Sequence, residues 1–425
     1  MQTRSIFKKL IQILAIIIIM GTLGTILLCF AFSIPAEKIR NNVEASIDVL
    51  KNETDYFQII ESDIGTRLDN YTEAYYLNEA LVDSSYHSPL NSALSGYCYV
   101  IDGNENLPPV ENLAQVLESN NDVIIQSRHK RFFCGYELIL KPTLTIASYS
   151  TIRNVNLVLS IILFIILVTL MIKKNLGSYI PAISISLLLI HPLTIVKCMT
   201  FVGYYYCSII PCIIILLIDK NVLQKKAWLL FSLTGACVFF FNMNYFQLIS
   251  FAMPLMLYFL VLGLPNKTSE SLKSILNFFM AWFMAYAGMM VFKWLLYGII
   301  VDSSIFSEML ALISRRTSTS EGSRFYGITS NINVIKQNTI WIYTEIVFCI
   351  FSIIMIVKNK CKVKKKTGPM LTLLLIMSIL PMARYLIFSN HVIIHNWVMY
   401  RLIMIPVLSY NLAITKLWNN NGFEQ

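Results

Sequence analysis

The chain has 425 residues, of which 56% are hydrophobic and 14% are charged. Soluble domains carry about 25% charged residues, so this composition excludes an ordinary soluble protein and indicates a lipid bilayer as the solvent. The net charge of +10 does not indicate a nucleic-acid partner. Most Lys and Arg residues of the short loops flank apolar segments, where they set membrane topology and meet anionic headgroups.

Apolar stretches long enough to cross a bilayer recur along the chain, since a spanning helix needs about 20 mostly apolar residues. The first follows Arg4, Lys8 and Lys9 and is too long for the apolar core of a signal peptide, so we interpret it as an uncleaved signal anchor. The sequence predicts about ten spans, at 10–33, 154–172, 178–195, 201–218, 227–243, 246–263, 274–294, 339–357, 370–388 and 398–415.

The distribution of basic residues predicts the orientation of these spans. Cytoplasmic loops carry an excess of Lys and Arg. Alternate short loops hold most of the lysines, at positions 173, 174, 220, 225, 226, 267, 273, 358, 360, 362, 364, 365, 366 and 416. Both termini are therefore predicted to be cytoplasmic, in a multi-pass protein of a bacterial plasma membrane.

This topology divides the chain into four parts. A cytoplasmic start and anchor helix (1–33) precede an extracytoplasmic domain (34–153). A nine-helix bundle (154–417) follows, with an outer loop at 295–338, and a cytoplasmic tail (418–425) ends the chain. The predicted fold class is an all-α polytopic membrane protein with a mixed α/β extracytoplasmic domain between the first two spans.

The extracytoplasmic domain is predicted to be helical over 35–68 and 110–117, with a strand pair within 122–140. It contains two cysteines, Cys98 and Cys134. Outside the cytoplasm these two residues are candidates for a disulfide bond, and two free thiols are the equally weighted alternative.

An acidic and aromatic segment, ESDIGTRLDNYTEAYYLNE, begins at Glu61. Asp69 and Glu73 are four residues apart, so one helical face can carry both. Tyr71 is of a residue type that lines sugar sites. A carboxylate near the membrane surface can remove a proton from an acceptor hydroxyl, and the candidates are Asp69, Asp63 and Glu61. The alternative is a solvated amphipathic helix.

Basic side chains on the predicted outer side complement these acids. Arg offers bidentate geometry to a phosphate. The candidate phosphate ligands are Arg315, Arg316, Arg324, Arg384, Arg401 and Lys293, with His391 and His395 as candidates for sugar or phosphate contact. In the alternative interpretation, the Arg and Lys side chains only extend from the helix ends toward the membrane surface. The His residues are then polar residues at the interface without a ligand.

Glu345 is the charged residue that lies deepest within a predicted span. A carboxylate at that depth is costly to bury. We expect it to have a partner such as Lys293 or Arg384, and a structural ion pair is the simplest interpretation.

The arrangement resembles the GT-C class of integral membrane glycosyltransferases. Its segments LDNYTEAYYLNEAL, GYELILKPTL and SNHVIIHNWVMYR are similar to uncharacterised membrane proteins of bacterial surface-polysaccharide clusters. The resemblance implies a general base or metal ligand in the first outer loop, matched by Asp69 and then by Asp63 and Glu61. It also implies a polyprenyl-phosphate sugar as donor. The chain departs from the pattern in its long first loop and in its lack of a DxD motif.

The leading hypothesis is a glycosyltransferase that moves a sugar to a cell-surface glycan or lipid-linked acceptor on the outer face. The alternatives are a polysaccharide polymerase, a transporter of lipid-linked glycans, and a non-catalytic membrane partner or sensor. No motif indicates a cofactor, and a divalent metal is the cofactor that the resemblance leaves open.

Overall fold

The computed structural model describes residues 2–83, 86–118, 123–359 and 368–419, with side chains from residue 7 onward. Five of the lysines that carry the orientation argument (360, 362 and 364–366) and residues 420–425 of the predicted tail lie outside the described residues. The described chain is mainly helical, as predicted. Its first helix, α1, is Gln2–Phe32.

Short elements fill the segment between α1 and the next long helix. They are α2 (Glu37–Glu53), a 3-10 helix (Ile64–Thr66), α3 (Asn70–Leu81), α4 (Pro89–Ser95), β1 (Tyr97–Ile101), α5 (Pro109–Glu118), β2 (Val123–Ser127) and α6 (Glu137–Thr143). The strands pair antiparallel, with Tyr97 opposite Ser127 and Ile101 opposite Val123.

The strand pair differs from the sequence prediction. β2 does lie within 122–140, but its partner is β1, thirty residues upstream, and 137–143 is helical. The reason is packing: Phe132 and Phe133 are buried against Phe239 and Phe240 of a membrane helix, and Gly135 N donates to the Phe240 carbonyl at 3.1 Å. These residues therefore cannot turn back to pair with β2.

The helix predicted over 35–68 is also shorter than expected. α2 ends at Glu53, and Thr54 adopts a left-handed φ of 55°. The chain then turns, and a short bridge pairs Gln58 with Arg67. α2 therefore ends before the acidic segment begins at Glu61, and that segment continues into α3.

The remaining helices of the described chain run from α7 to α20. They are α7 (Tyr149–Lys173), a 3-10 helix (Gly177–Tyr179), α8 (Ile180–Leu188), α9 (Pro192–Lys197), α10 (Met199–Leu217), α11 (Lys220–Phe241), α12 (Ile249–Leu262), α13 (Thr268–Ile300), α14 (Ile305–Thr317), α15 (Tyr326–Ile335), α16 (Thr339–Lys358), α17 (Gly368–Ile387), α18 (Ser389–Ile394), α19 (Asn396–Met399), a 3-10 helix (Tyr400–Ile403) and α20 (Met404–Trp418).

Seven described helices are long and apolar enough to cross a membrane: Phe7–Phe32, Tyr149–Lys173, Met199–Leu217, Thr268–Ile300, Thr339–Lys358, Gly368–Ile387 and Asn396–Trp418. These seven coincide with predicted spans. The other three predicted spans fall on α8 with α9, on α11 and on α12. The all-helical membrane fold is thus confirmed coarsely, while the count of ten spans stays a prediction.

The predicted span at 178–195 is broken rather than continuous. His191 has a left-handed φ of 53° and precedes Pro192, which starts α9. A residue before proline is pushed out of the helical region, so the helix must end there. The Ile190 carbonyl at the break accepts from Arg401 Nε at 3.1 Å, and the Leu189 carbonyl accepts from Asn338 at 3.3 Å.

Buried side chains of the outer segment and of the membrane helices form one continuous hydrophobic cluster. The segment between α1 and α7 therefore packs directly on the later helices.

Among these helices, α11 and α13 approach closely at Gly235, where a Cβ atom would lie 2.1 Å from the Trp282 carbonyl oxygen.

Candidate functional site

Asp69 is the buried N-cap of α3. It is 2% exposed, and its Oδ1 accepts a hydrogen bond from Thr72 N at 3.3 Å. Its Oδ2 is buried without a hydrogen-bond partner. Burial, and then the neighbouring charge of Glu73, raises the pKa of Asp69 to about 7. A carboxyl group that titrates near neutrality, with one oxygen unused, is suited to exchange a proton with a bound molecule.

The other acids of this segment have structural partners or lie outside. Glu73 accepts hydrogen bonds from Met199 N, Thr200 N and Thr200 Oγ1, and so caps the start of α10. Asp63 accepts from Gly65 N at 2.9 Å and lies 3.1 Å from His191 Nε2. Glu61 is exposed.

Arg401 lies beneath the loop that carries Asp63. It is fully buried, and its guanidinium donates to the carbonyls of Gly65 (3.0 Å), Ile190 (3.1 Å) and Trp397 (3.3 Å). Tyr400 Oη donates to the same Gly65 carbonyl at 3.2 Å. These bonds tie the outer segment to α9 and to the last membrane helix, so most of the Arg401 donors already have protein partners.

A group of basic side chains lies around Tyr245. We call it the cationic cluster, and it consists of Arg131, Arg315, Arg316 and Arg384 together with the neutral rings of His391 and His395. Burial, followed by the charges of Arg131 and Arg384, lowers the pKa of Arg316 to about 10. Burial and then Arg316 and Arg315 lower the pKa of His395 to about 4. The rings of His391 and His395 are 4.7 Å apart.

Within the described residues, no Asp or Glu forms an ion pair with any member of the cationic cluster. Arg384 donates to the carbonyls of Asn244 (2.9 Å) and Tyr245 (3.1 Å), which fixes it in place, yet its Nε is buried without a partner. Arg131, Arg316 and Arg384 are partly buried and lie close enough to lower the pKa of Arg316, while Glu308 attracts Arg131 without forming an ion pair. Clustered positive charges of this kind attract an anionic ligand.

Tyr245 connects the carboxylate to the cations. Its ring lies 5.7 Å from that of His395 and 6.2 Å from that of His391. Burial, and then the charges of Asp69 and Tyr56, raises the pKa of Tyr245, and Arg316 opposes this. Tyr245 therefore lies within electrostatic reach of both the Asp69 carboxyl group and the cationic cluster.

An aromatic surface borders this site. The rings of Tyr56 and Tyr71 stack at 5.6 Å, and the edge of Trp397 meets Tyr56 at the same distance. The guanidinium of Arg67 lies over both Tyr56 and Trp397. Tyr56 and Tyr71 are 40% and 37% exposed, so their faces are accessible. Aromatic side chains with a few polar groups are typical of small-molecule sites.

Several predicted site residues lie elsewhere. Arg324 is exposed and donates to the Leu386 carbonyl at 3.2 Å. Lys293 is fully buried and donates to the Leu94 carbonyl. Glu345 accepts from Asn411 at 3.0 Å, rather than from Lys293 or Arg384. Cys98 and Cys134 are buried free thiols, so the structure does not contain the candidate disulfide.

The sequence prediction missed Arg131, Tyr245, Tyr56 and Trp397. Arg131 lies in a basic and aromatic stretch of sequence just before the second predicted span. Tyr245 lies in a tight turn between two predicted spans. Their spacing in sequence gives no sign that they meet. Comparison of the chain with protein families, with curated proteins and with solved structures gave no match.

Proposed function

We propose that the chain is a membrane glycosyltransferase. It would move a sugar from a polyprenyl-phosphate donor to a cell-surface glycan or a lipid-linked acceptor on the outer face of the membrane. The observation that carries this proposal is that Tyr245 lies near both a carboxyl group with a pKa of about 7 and a cationic cluster that forms no ion pair with an acid in the described residues.

Each part of the site has a role in this reaction. The cationic cluster binds the donor phosphate, and the aromatic surface of Tyr56, Tyr71 and Trp397 contacts the sugar. Ionised Asp69 takes the proton of the acceptor hydroxyl as its oxygen attacks the anomeric carbon. The bond between that carbon and the phosphate oxygen breaks, and the cationic cluster stabilises the departing polyprenyl phosphate.

The test uses purified protein in lipid nanodiscs and a fluorescent short-chain polyprenyl phosphate as the probe. Arg316→Gln should weaken binding by about tenfold or more, because it removes a charge-assisted contact. Arg324→Gln is the matched control, since Arg324 is exposed and donates to a backbone carbonyl. Asp69→Asn should bind the probe normally and lose transfer when a polyprenyl-phosphate sugar and an acceptor are supplied.

Equal binding by Arg316→Gln and wild type would contradict the phosphate site. Full transfer by Asp69→Asn would contradict the role of Asp69. With Asp69 as base, the rate should rise with pH through about 7, because the ionised fraction rises there.

Broken helices at the site favour a second candidate function, a transporter of lipid-linked glycans. α8 and α9 are separated at His191, and α18, α19 and a 3-10 turn precede α20. Discontinuous helices mark substrate sites in many transporters. Movement of a fluorescent lipid-linked sugar across proteoliposome membranes, unaffected by Asp69→Asn, would support this function over transfer.

A further inference from the structure

A second cluster of chemically reactive side chains lies at the end of α3, whose beginning carries Asp69. Glu79 of α3, His129 after β2 and Cys134 each offer one ligand atom, and these three atoms lie within 4.8 Å of one another. All three residues are buried. Glu79 and His129 already approach each other through Oε1 and Nδ1. A carboxylate, an imidazole and a thiol at this separation match the ligand types of zinc.

These three side chains can complete most of a zinc coordination sphere. A tetrahedral zinc ion with three protein ligands keeps one position open. Zinc binds the thiolate form of cysteine, so the Glu79 carboxylate and the Cys134 thiolate together balance the charge of the ion. The Cys98 thiol of β1 contacts the Tyr75 carbonyl at 3.7 Å and is not one of the ligands.

Surrounding groups hold the ligands in place. The second carboxylate oxygen of Glu79 accepts from Tyr136 Oη at 2.6 Å, in the manner of the outer hydrogen bonds that orient metal ligands. Gly96 leaves the necessary room, since a Cβ atom there would lie 2.9 Å from Glu79 Oε1. Cys134 has a left-handed φ of 55°, a costly conformation that is often found at functional sites.

We propose that Glu79, His129 and Cys134 bind a zinc ion that positions the candidate functional site. α3 carries Asp69 at its beginning and Glu79 near its end. The segment from His129 to Cys134 carries Arg131 of the cationic cluster. The ion would join α3 to this segment, and would thereby hold the Asp69 carboxylate and Arg131 in a fixed arrangement. Zinc binding itself does not depend on the proposed function.

The experiment measures zinc in the full chain, purified in detergent without added chelator, by mass spectrometry of the elements. We expect stoichiometric zinc in the wild type and its loss in His129→Gln and in Cys134→Gly. Glycine adopts the left-handed backbone of position 134 without strain, so this variant removes the thiol while relieving the local conformation. Cys29→Ser, a change of a free thiol on α1, is the matched control and should keep its zinc.

Two further measurements keep the proposal open to refutation even if a variant fails to fold. Wild type treated with chelator and loaded with cobalt(II) should show thiolate-to-metal charge-transfer absorption, absent in Cys134→Gly and retained in Cys98→Ser. Peptide mass analysis of unreduced protein should find Cys98 and Cys134 unlinked. Wild type without bound zinc, zinc retained by both ligand variants, or a disulfide between these two cysteines would each overturn the proposal.

Discussion

Asp69 combines a good helix cap with an unfavourable charge. Its pKa is raised to about 7, so the folded protein holds the proton more tightly than the unfolded chain does. Between about pH 4 and pH 7 the unfolded chain ionises this group first. The group therefore costs stability progressively as the pH rises through this window, and the full cost remains above it.

Asp69→Asn should consequently stabilise the fold at pH 8 and have little effect at pH 4. Asparagine caps helices as well as aspartate does, so the bond to Thr72 N is preserved. The gain is on the order of a few kcal/mol, since one pKa unit corresponds to about 1.4 kcal/mol. Thermal unfolding of both proteins over this pH range measures it. A gain of the same size at both pH values would contradict the raised pKa.

Repulsion within the cationic cluster should also lower the stability of the protein, and a bound anion should offset it. Arg316→Gln relieves repulsion with Arg131 and Arg384. In buffers without phosphate it should therefore raise the free energy of unfolding by about 1 kcal/mol, and the melting temperature with it. Phosphate should stabilise the wild type more than it stabilises this variant, because bound anion neutralises the cluster. Arg324→Gln, an exposed change, should show neither effect. A variant less stable than wild type in phosphate-free buffer would show that Arg316 has a structural partner.

Single residues were predictable where chemistry is local. Asp69 follows from its place before a helical segment with Glu73 four residues on. The phosphate candidates Arg316 and Arg384 follow from their residue type near predicted helix ends. Arg131 and Tyr245 come near these residues only through the tertiary fold, across at least 62 positions of chain. One sequence contains no local signal for such contacts.

At the scale of elements, Glu73 joins two of them. It sits in the first turn of α3 and caps α10, whose own N-cap residue, Cys198, forms no side-chain cap bond. A helix start needs partners for its free N–H groups. The hydrophobic pattern predicts the body of α10 well, but a cap supplied from 126 positions away is invisible to local patterns.

Glu73→Gln should lower the stability of the protein by about 1–3 kcal/mol. The amide keeps one acceptor oxygen but turns its NH2 group toward a backbone donor at Met199 or Thr200. Glu61→Gln, on an exposed residue, is the matched control and should change stability by less than about 0.5 kcal/mol. Denaturation monitored by intrinsic fluorescence distinguishes them, and equal midpoints would argue against the capping role.

At the scale of the whole molecule, apolar length predicts where helices lie, and the distribution of lysine predicts how they are oriented. The first inference rests on the bilayer thickness and was confirmed for seven helices. The prediction from apolar length treats α8 and α9 as one span, because hydropathy carries no signal for the break at His191. The orientation rests on the positive-inside rule, and its consequence is that Asp69, the cationic cluster and the proposed zinc ligands all face the outside.

That orientation is directly testable with a membrane-impermeant maleimide on intact cells. Asn104→Cys places an exposed thiol between β1 and α5, and Lys226→Cys places one on the exposed surface near the start of α11. We expect the first to be labelled on intact cells and the second only after the membrane is permeabilised. The wild type supplies the background, since four of its described free cysteines are buried and the other four are partly buried. Labelling in the reverse order would put the candidate site in the cytoplasm, where the proposed transfer would have to draw its donor from the inner leaflet.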